Sequence, residues 1–178
     1  FAEEVRDRLP DDLLAIFNQE QKLKDALKAR WDVDTTIAAH NASPSTESMN
    51  KVLNALSVRM KAGGLLYIPV EHIGAEAVDK YTPIPIPKPG EQVARRSIAT
   101  NDGKRWVVAF TSEEELKKKE NEPTEYLGEP AVFTFQMASR IPDCAGLAIN
   151  PWGERFFMSQ DLINRFMELT IHPKKPEA

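Results

Sequence analysis

Apolar residues recur at two different spacings along the chain, and the change of spacing divides it near residue 63. Before that point they recur at steps of three and four residues, which is typical of one face of a helix. After it, short apolar runs alternate with turns rich in Gly, Pro and Asn, which is typical of strands. We therefore predict a two-helix N-terminal extension over 1–62, an α+β domain over 63–172 and a tail over 173–178.

The first predicted helix spans 9–31 and carries a narrow apolar stripe, which Glu20 interrupts. The stripe consists of Leu9, Leu13, Ile16, Leu23, Leu27 and Trp31. Such a narrow stripe fits packing against a single neighbour. That neighbour is either the second helix or another copy of the chain.

The second predicted helix spans 46–62 and follows a segment, 32–45, that lacks periodicity and is predicted to be a loop. Ser43 is the candidate N-cap, and Pro44 suits the first helical position. A Gly-Gly pair at 63–64 is expected to end this helix because glycine readily adopts the conformation that follows a helix C-terminus.

The predicted α+β domain contains one mixed sheet of five to six strands covered by helices. An Asp-Gly turn joins two of its strands, and alternating prolines near residue 85 predict a covering loop. The predicted strands are 65–70, 93–100, 104–110, 131–135, 145–150 and 154–158. The predicted covering helices are 112–120 and 159–170, with a short helical segment over 136–141.

A tight turn follows the strand predicted at 145–150 and holds the first group of candidate functional residues. Asn150 can close an Asx turn, Pro151 fixes the next φ, and the turn then presents Trp152 at its tip. Tryptophan is enriched among binding hot spots, so Asn150, Pro151 and Trp152 are candidate partner-binding residues. Trp152 can equally fold back over the sheet and cover an apolar patch.

The junction between the strand at 104–110 and the helix at 112–120 holds the second candidate site. Backbone N–H groups at a helix start accept carboxylate or phosphate, which makes Thr111 and Ser112 candidate ligand-binding residues. The alternative is a capping box in which Ser112 and Glu115 satisfy these donors, and Glu115 then repels an anion.

Three consecutive lysines follow three glutamates in the same predicted helix. Each lysine lies four residues after a glutamate, in the orientation that favours ion pairing on a helix surface. We therefore predict a solvent-exposed helix face with the pairs Glu113–Lys117, Glu114–Lys118 and Glu115–Lys119.

Charge and composition exclude some classes of function for this chain. The 178 residues carry a formal net charge of −4, which argues against binding to nucleic acid or to an acidic membrane surface. No apolar run approaches the roughly 20 residues that a membrane helix needs. The single cysteine permits a reducing compartment, so we expect a cytoplasmic protein. The chain begins with Phe1 and not with Met. Removal of a leader and trimming of the start would both produce such a sequence, so the two alternatives stay open.

Candidate catalytic residues are few. His40, His72 and His172 lie far apart and show no metal-binding spacing, so we predict no metal and no cofactor. Cys144 could pair with His72 as nucleophile and base. A lone cysteine in an apolar run is more often a small buried hydrophobic residue.

Three segments of the sequence resemble a known family. They are 66–70 (LYIPV), 106–116 (WVVAFTSEEEL) and 146–153 (GLAINPWG), and their order and separation are similar to those of the SseB protein N-terminal domain family. The resemblance spans about residues 63–170. It implies a bacterial α+β module, associated by name with enhanced serine sensitivity, without an established catalytic activity and without catalytic residues to assign.

Two functional hypotheses follow. The first is a non-catalytic interaction or regulatory module that binds a protein partner or self-associates. The second is a small-molecule sensor or enzyme, for an amino acid or an anion, that uses a pocket near Thr111, Ser112 and Asn150.

Overall fold

The computed structural model describes residues 10–170, with only the backbone described over 22–31, and it shows an α+β fold as predicted. The helices in this part of the chain are α1 (Asp11–Trp31), α2 (Val33–Ala42), α3 (Thr46–Lys61), α4 (Glu113–Leu116), α5 (Ala131–Ala138) and α6 (Gln160–Thr170). The strands are β1 (Leu65–His72), β2 (Thr82–Pro83), β3 (Val93–Arg95), β4 (Ser97–Ala99), β5 (Arg105–Ala109), β6 (Glu125–Pro130), β7 (Gly146–Ile149) and β8 (Phe156–Ser159).

The strands form two mixed sheets of four strands each, whereas the sequence predicted one sheet. The first sheet has the order β2-β6-β1-β3, and the second has the order β4-β5-β7-β8. The segment predicted as one strand over 93–100 is divided between them. Its first half pairs with β1 and its second half pairs with β5.

Pro69 in the middle of β1 accounts for this division. Proline has no N–H to donate to a neighbouring strand. Before Pro69, Tyr67 exchanges two backbone hydrogen bonds with Phe110, of 2.8 and 2.9 Å. After it, Val70 pairs with Arg95 of β3. The backbone N–H of Arg96 donates to the Pro69 carbonyl at 2.9 Å, so the chain crosses from one sheet to the other at Arg96.

The main core lies between the sheets and helices α2, α3, α5 and α6. Alternate residues of the strands point into it, as the period of a strand requires. Its largest fully buried side chains include Ile37, Leu56, Leu66, Ile68, Phe135, Leu147, Ile149 and Ile163. Helices α2 and α3 therefore share one core with the sheets.

A smaller apolar cluster lies on the opposite face of the strands. Val108 of β5 and Ala148 of β7 point into it, together with Phe110, Leu116 and Tyr126. β5 lies between β4 and β7 and is buried on both faces, which agrees with its continuous apolar run.

Helix α2 forms where the sequence predicted a loop. Its buried residues, Val33, Thr36 and Ile37, have the spacing of a helix face. Thr36 is polar, and it interrupts the apolar spacing by which a helix is recognised in a sequence. The N-cap of α3 is Ser45, which accepts a hydrogen bond from the backbone N–H of Ser48, and the predicted Ser43 cap is wrong.

The strand predicted over 131–135 is also wrong, because these residues begin helix α5. Ala131, Thr134, Phe135 and Ala138 are its buried residues, and they follow helical spacing. A strand, β6, lies directly before this helix. Its two glutamates and one glycine interrupt the alternating apolar pattern that is typical of a strand.

Helix α4 ends at Leu116, earlier than predicted, and this changes the ion pairs of the lysine run. Glu113 pairs with Lys117 at 3.5 Å as predicted. Lys118 instead pairs with Glu115, at 2.6 Å, and Lys119 with Glu122, at 3.4 Å.

The apolar stripe of α1 is described only in part. Leu13 and Ile16 are 47% and 54% exposed. The side chains of Leu23, Leu27 and Trp31, and the whole of Leu9, lie outside the described residues, as does the tail over 173–178. Among the helices of the described part, none is long and apolar enough to cross a bilayer.

Candidate functional site

The structure brings Thr111 and Asn150 together, as the second hypothesis required. Thr111 is 3% exposed and Asn150 is 1% exposed. The Asn150 Oδ1 accepts from the Thr111 backbone N–H at 2.9 Å, and the Asn150 Nδ2 donates to Asp34 Oδ1 at 3.0 Å and to Thr111 Oγ1 at 2.9 Å. The Thr111 hydroxyl also donates to Asp34. We call these three residues the buried polar cluster, and its polar groups satisfy one another.

Ser112 caps the start of α4. Its Oγ accepts from the Glu115 backbone N–H at 3.2 Å, which is the first half of the predicted capping box. The preceding Thr111 carbonyl accepts from the Arg59 guanidinium. The Ser112 hydroxyl and the Thr111 carbonyl therefore make bonds within the chain.

The turn at Asn150 is more buried than predicted. Asn150 adopts a left-handed conformation with φ of 51°, which asparagine tolerates better than most residues. Pro151 is buried and Trp152 is half-buried. The Trp152 ring lies 6.3 Å from the Phe110 ring, so Trp152 folds back over the smaller apolar cluster. The alternative in which Trp152 covers the sheet is the one observed.

A cleft of about 730 Å³ lies beside Trp152, on the face of the strands opposite the main core. Its volume falls within the range of about 300–1,000 Å³ that is usual for small-molecule sites. Its aromatic and apolar lining includes Pro69, Tyr81, Ile98, Phe110, Leu116 and Trp152. Its charged lining consists of Glu71, Arg95, Arg96, Arg105, Lys119 and Glu122.

The fold explains the position of this cleft. Pro69 and Arg96 mark the point where the chain passes from one sheet to the other, and both line the cleft. Trp152 comes from the turn after β7. Tyr81 and Lys119 come from two loops, and the Tyr81 hydroxyl donates to the Lys119 carbonyl. This bond joins the two loops beside the cleft.

Most of these residues do not stand out in the sequence. Arg95, Arg96 and Arg105 lie in predicted strands, and Lys119 lies on a helix face predicted to be solvent-exposed. Trp152 is predicted either to contact a partner at a turn tip or to cover an apolar patch of the sheet. The adjacent residues Arg95 and Arg96 were the one sign of a site in the sequence. Consecutive residues of a strand point to opposite faces, so two consecutive arginines cannot both lie on one exposed face.

Two of the cleft's cations are held by contacts within the chain. Arg95 makes a two-pronged ion pair with Glu129, in which one N–O distance is 2.7 Å. The Lys119 Nζ lies 3.8 Å from the centroid of the Trp152 ring, which is a cation–π contact. These contacts fix Lys119 and Trp152 against each other at the edge of the cleft.

The other two cations are less completely satisfied. The Arg96 Nη2 lies 3.9 Å from Glu71 Oε2, and among the described residues the buried Nε of Arg96 has no hydrogen-bond partner. The Arg105 Nη2 donates to the Ser97 hydroxyl at 2.9 Å. A buried hydrogen-bond donor without a partner is uncommon in proteins, so its presence in Arg96 requires an explanation.

Two tyrosines of the smaller apolar cluster have raised pKa values. Burial, followed by the hydrogen bond to Glu113 and its charge, raises the pKa of Tyr126 to about 12. The Tyr126 hydroxyl donates to Glu113 at 2.6 Å, and this bond lowers the pKa of Glu113. Burial, with nearby Glu122 and Glu120, also raises the pKa of Tyr81.

The raised pKa of Tyr126 predicts a loss of stability in alkali. An unfolded tyrosine ionises near pH 10, whereas Tyr126 in the folded protein ionises near pH 12. The stabilisation is therefore complete below pH 10 and is lost as pH rises through 12. Urea unfolding across this range should show a steeper decline for the wild type than for Tyr126→Phe. Equal slopes for the two proteins would contradict this assignment.

The histidine and the cysteine considered as a catalytic pair lie in different places. His72 Nδ1 lies 2.6 Å from Glu125 Oε2, at the end of β1. Cys144 lies beside a separate groove lined by Met137 and Ile141, and its Sγ donates to the Gly146 carbonyl at 3.1 Å. The part of the chain that the structure describes contains no group of three or more His, Cys, Asp or Glu side chains placed to hold a metal ion.

Comparison with known proteins gives one positive result. No curated protein matches the chain, and no solved structure matches it. The model of the SseB protein N-terminal domain matches residues 33–165, which is most of the chain and includes helices α2 and α3. This result agrees with the three segments that resembled the family in the sequence. The chain therefore belongs to the SseB protein N-terminal domain family.

Proposed function

We propose that this domain is a non-catalytic binding module and that the cleft beside Trp152 is its recognition site. The observation that carries the proposal is a concave site of about 730 Å³ that holds aromatic rings and the guanidinium of Arg96, whose buried Nε has no hydrogen-bond partner among the described residues. Sites for small ligands combine an apolar lining with a few polar groups that fix orientation. The cleft has both components.

The buried polar cluster supports placing the ligand in the cleft and not at the junction beside Ser112. Asn150 and Thr111 are almost completely buried, and their hydrogen-bonding groups are used by each other and by Asp34. A ligand at that point would have to break these bonds. The proposal therefore keeps the sensor hypothesis and moves its site to the opposite face of the strands.

The proposed biological setting is a regulatory role in the bacterial cytoplasm. In such a role, ligand occupancy in the cleft would change how the domain contacts a partner protein. Self-association through α1 is part of the same proposal, and the exposed Leu13 and Ile16 supply an apolar surface for it.

Nuclear magnetic resonance with a panel of small aromatic and aliphatic compounds tests the proposed site. The chain has three tryptophans, Trp31, Trp106 and Trp152, and each gives one indole N–H signal. Trp152 lines the cleft, whereas Trp106 lines the groove near Cys144 and packs beside Ile98 at the edge of the smaller apolar cluster. We expect compounds that bind to shift the Trp152 signal saturably and to shift the Trp106 signal less.

Phenylalanine substitution of each tryptophan in turn assigns the three signals. A panel that contains no compound able to shift the Trp152 signal would contradict the proposal. Saturable shifts confined to Trp106 would also contradict it, since they would place the binding site in the other groove.

A further inference from the structure

The cleft has a positive balance of charge in an acidic chain. Four cationic side chains and two carboxylates line it, although the chain as a whole has a formal net charge of −4. Charges of one sign at a concave surface attract ligands of the opposite sign. The identity of the ligand depends on which of these cations are already neutralised.

Arg95 is neutralised within the fold. Both of its terminal nitrogens bond to the carboxylate of Glu129, which is 6% exposed and also accepts from the Thr134 hydroxyl at 2.9 Å. Lys119 bonds to Glu122 at 3.4 Å and contacts the Trp152 ring. These two residues shape the cleft, and their charges are offset by neighbours.

Arg96 has the largest unused bonding capacity in the cleft. Its carboxylate neighbour, Glu71, lies at 3.9 Å, and the two side chains are 40% and 57% exposed, so solvent weakens this pair. The Nε of Arg96 is buried without a hydrogen-bond partner among the described residues. A buried donor without a partner is destabilising, and an oxygen atom of a ligand would bond to it.

Arg105 provides a second guanidinium in the lining of the cleft, and it also lines the groove beside Cys144. It donates to the hydroxyl of Ser97, which directly follows Arg96 in the chain. In the described part of the chain, no carboxylate forms an ion pair with Arg105. A hydroxyl partner leaves the charge of the guanidinium in place, so Arg105 keeps its affinity for an anion.

We infer that the cleft recognises a small organic carboxylate with an apolar body, an inference that rests on the proposed function. The guanidinium of Arg96 binds the carboxylate, since a guanidinium matches a carboxylate with two parallel hydrogen bonds, and the charge of Arg105 in the lining adds to the attraction. The apolar body lies against Ile98, Phe110 and Trp152. Both parts of the ligand thus have their contacts in one cleft.

Isothermal titration calorimetry with sodium phenylacetate tests this inference, with phenylacetamide as the neutral analogue of the same shape. We expect the acid to bind at least about tenfold more tightly than the amide, because charged hydrogen bonds are the stronger ones. Arg96→Gln should weaken phenylacetate binding by about tenfold, and Arg105→Gln, which removes a charge from the lining, should weaken it by less. Arg165→Gln, an exposed change on α6, is the matched control and should leave the affinity unchanged.

The same titration with N-acetyl-glycyl-phenylalanine distinguishes the source of the carboxylate. Tighter binding of this compound than of phenylacetate would identify the carboxyl end of a peptide as the ligand, and weaker binding would identify a free acid. Circular dichroism melting curves check that each variant is folded.

Two results would overturn the carboxylate inference. The first is equal affinity for acid and amide, and the second is an Arg96→Gln, Arg105→Gln double variant that binds phenylacetate as the wild type does. If the Trp152 indole signal still shifted in these cases, the cleft would remain the binding site and only the ligand class would be wrong. Loss of the Trp152 response for every compound would instead remove the proposed function.

Discussion

Replacement of Gly146 by alanine is expected to remove much of the stability of the folded state. A Cβ atom at this position would lie 1.9 Å from the Met158 carbonyl oxygen and 3.0 Å from the Ser159 Cα, both of which are backbone atoms of β8. Gly146 also has φ of +148°, a conformation that residues with a side chain rarely adopt. Strand β8 would have to move away from β7, and the paired register Gly146↔Ser159 would be lost.

The expected loss is more than about 4 kcal/mol, which is a large part of the stability of an ordinary domain. Urea unfolding followed by circular dichroism measures it. Gly128→Ala is the matched control in β6, because a Cβ there would meet the Leu65 side chain at 3.3 Å and the Tyr67 ring at 3.5 Å, which can adjust. Wild-type stability of the Gly146 variant would contradict the described pairing of β7 with β8.

Asn150→Ala has the next largest expected effect. It removes the side-chain bonds to Thr111 and Asp34 and leaves the buried Thr111 backbone N–H without its acceptor. It also places alanine at φ of 51°. We expect a loss of about 3 kcal/mol in the free energy of unfolding.

Two further variants separate the causes. Asn150→Gly relieves the backbone strain but lacks the amide, so its stability should lie slightly above that of Asn150→Ala. Asn41→Ala is the matched control, because Asn41 makes two exposed side-chain bonds, to Glu154 and to the Arg155 carbonyl, and its loss should cost less than about 1 kcal/mol. If Asn150→Ala lowered the free energy of unfolding as little as the control does, the Asn150 side chain would not be needed for stability. Asn150 would then be a candidate ligand contact again.

The class of fold was predictable because it depends on local patterns. Alternation around Asp102-Gly103 gives the β4–β5 hairpin, and the apolar face of 159–170 gives α6. The division into two sheets was not predictable from such patterns. It depends on Pro69 being opposite Arg96, and these residues lie 27 positions apart in the sequence.

Local patterns failed where polar residues were buried. Thr36 of α2 and Glu129 of β6 are 7% and 6% exposed, and each occupies a position where an apolar residue would have signalled the element. Their burial is stabilised by partners that the sequence does not reveal. Thr36 bonds to the Val33 carbonyl within its helix, and Glu129 bonds to Arg95 across the sheet.

The candidate site was also only partly predictable from the sequence. Thr111 and Asn150 lie at the predicted ends of two strands, and the structure shows that they are in contact because β5 and β7 are neighbours. The cleft was not predicted, because its residues come from four strands, helix α4 and several connecting segments. Tyr81, Arg96, Lys119 and Trp152 have no common spacing, and only the fold brings them together.

The central claim is that a carboxylate ligand lies in the cleft beside Trp152. Intermolecular nuclear Overhauser effects between the ring protons of phenylacetate and the protein measure this directly. The account predicts contacts with the methyl groups of Ile98 and with the Trp152 indole. Contacts with the methyl groups of Met137 and Ile141 would place the ligand in the separate groove and contradict the account.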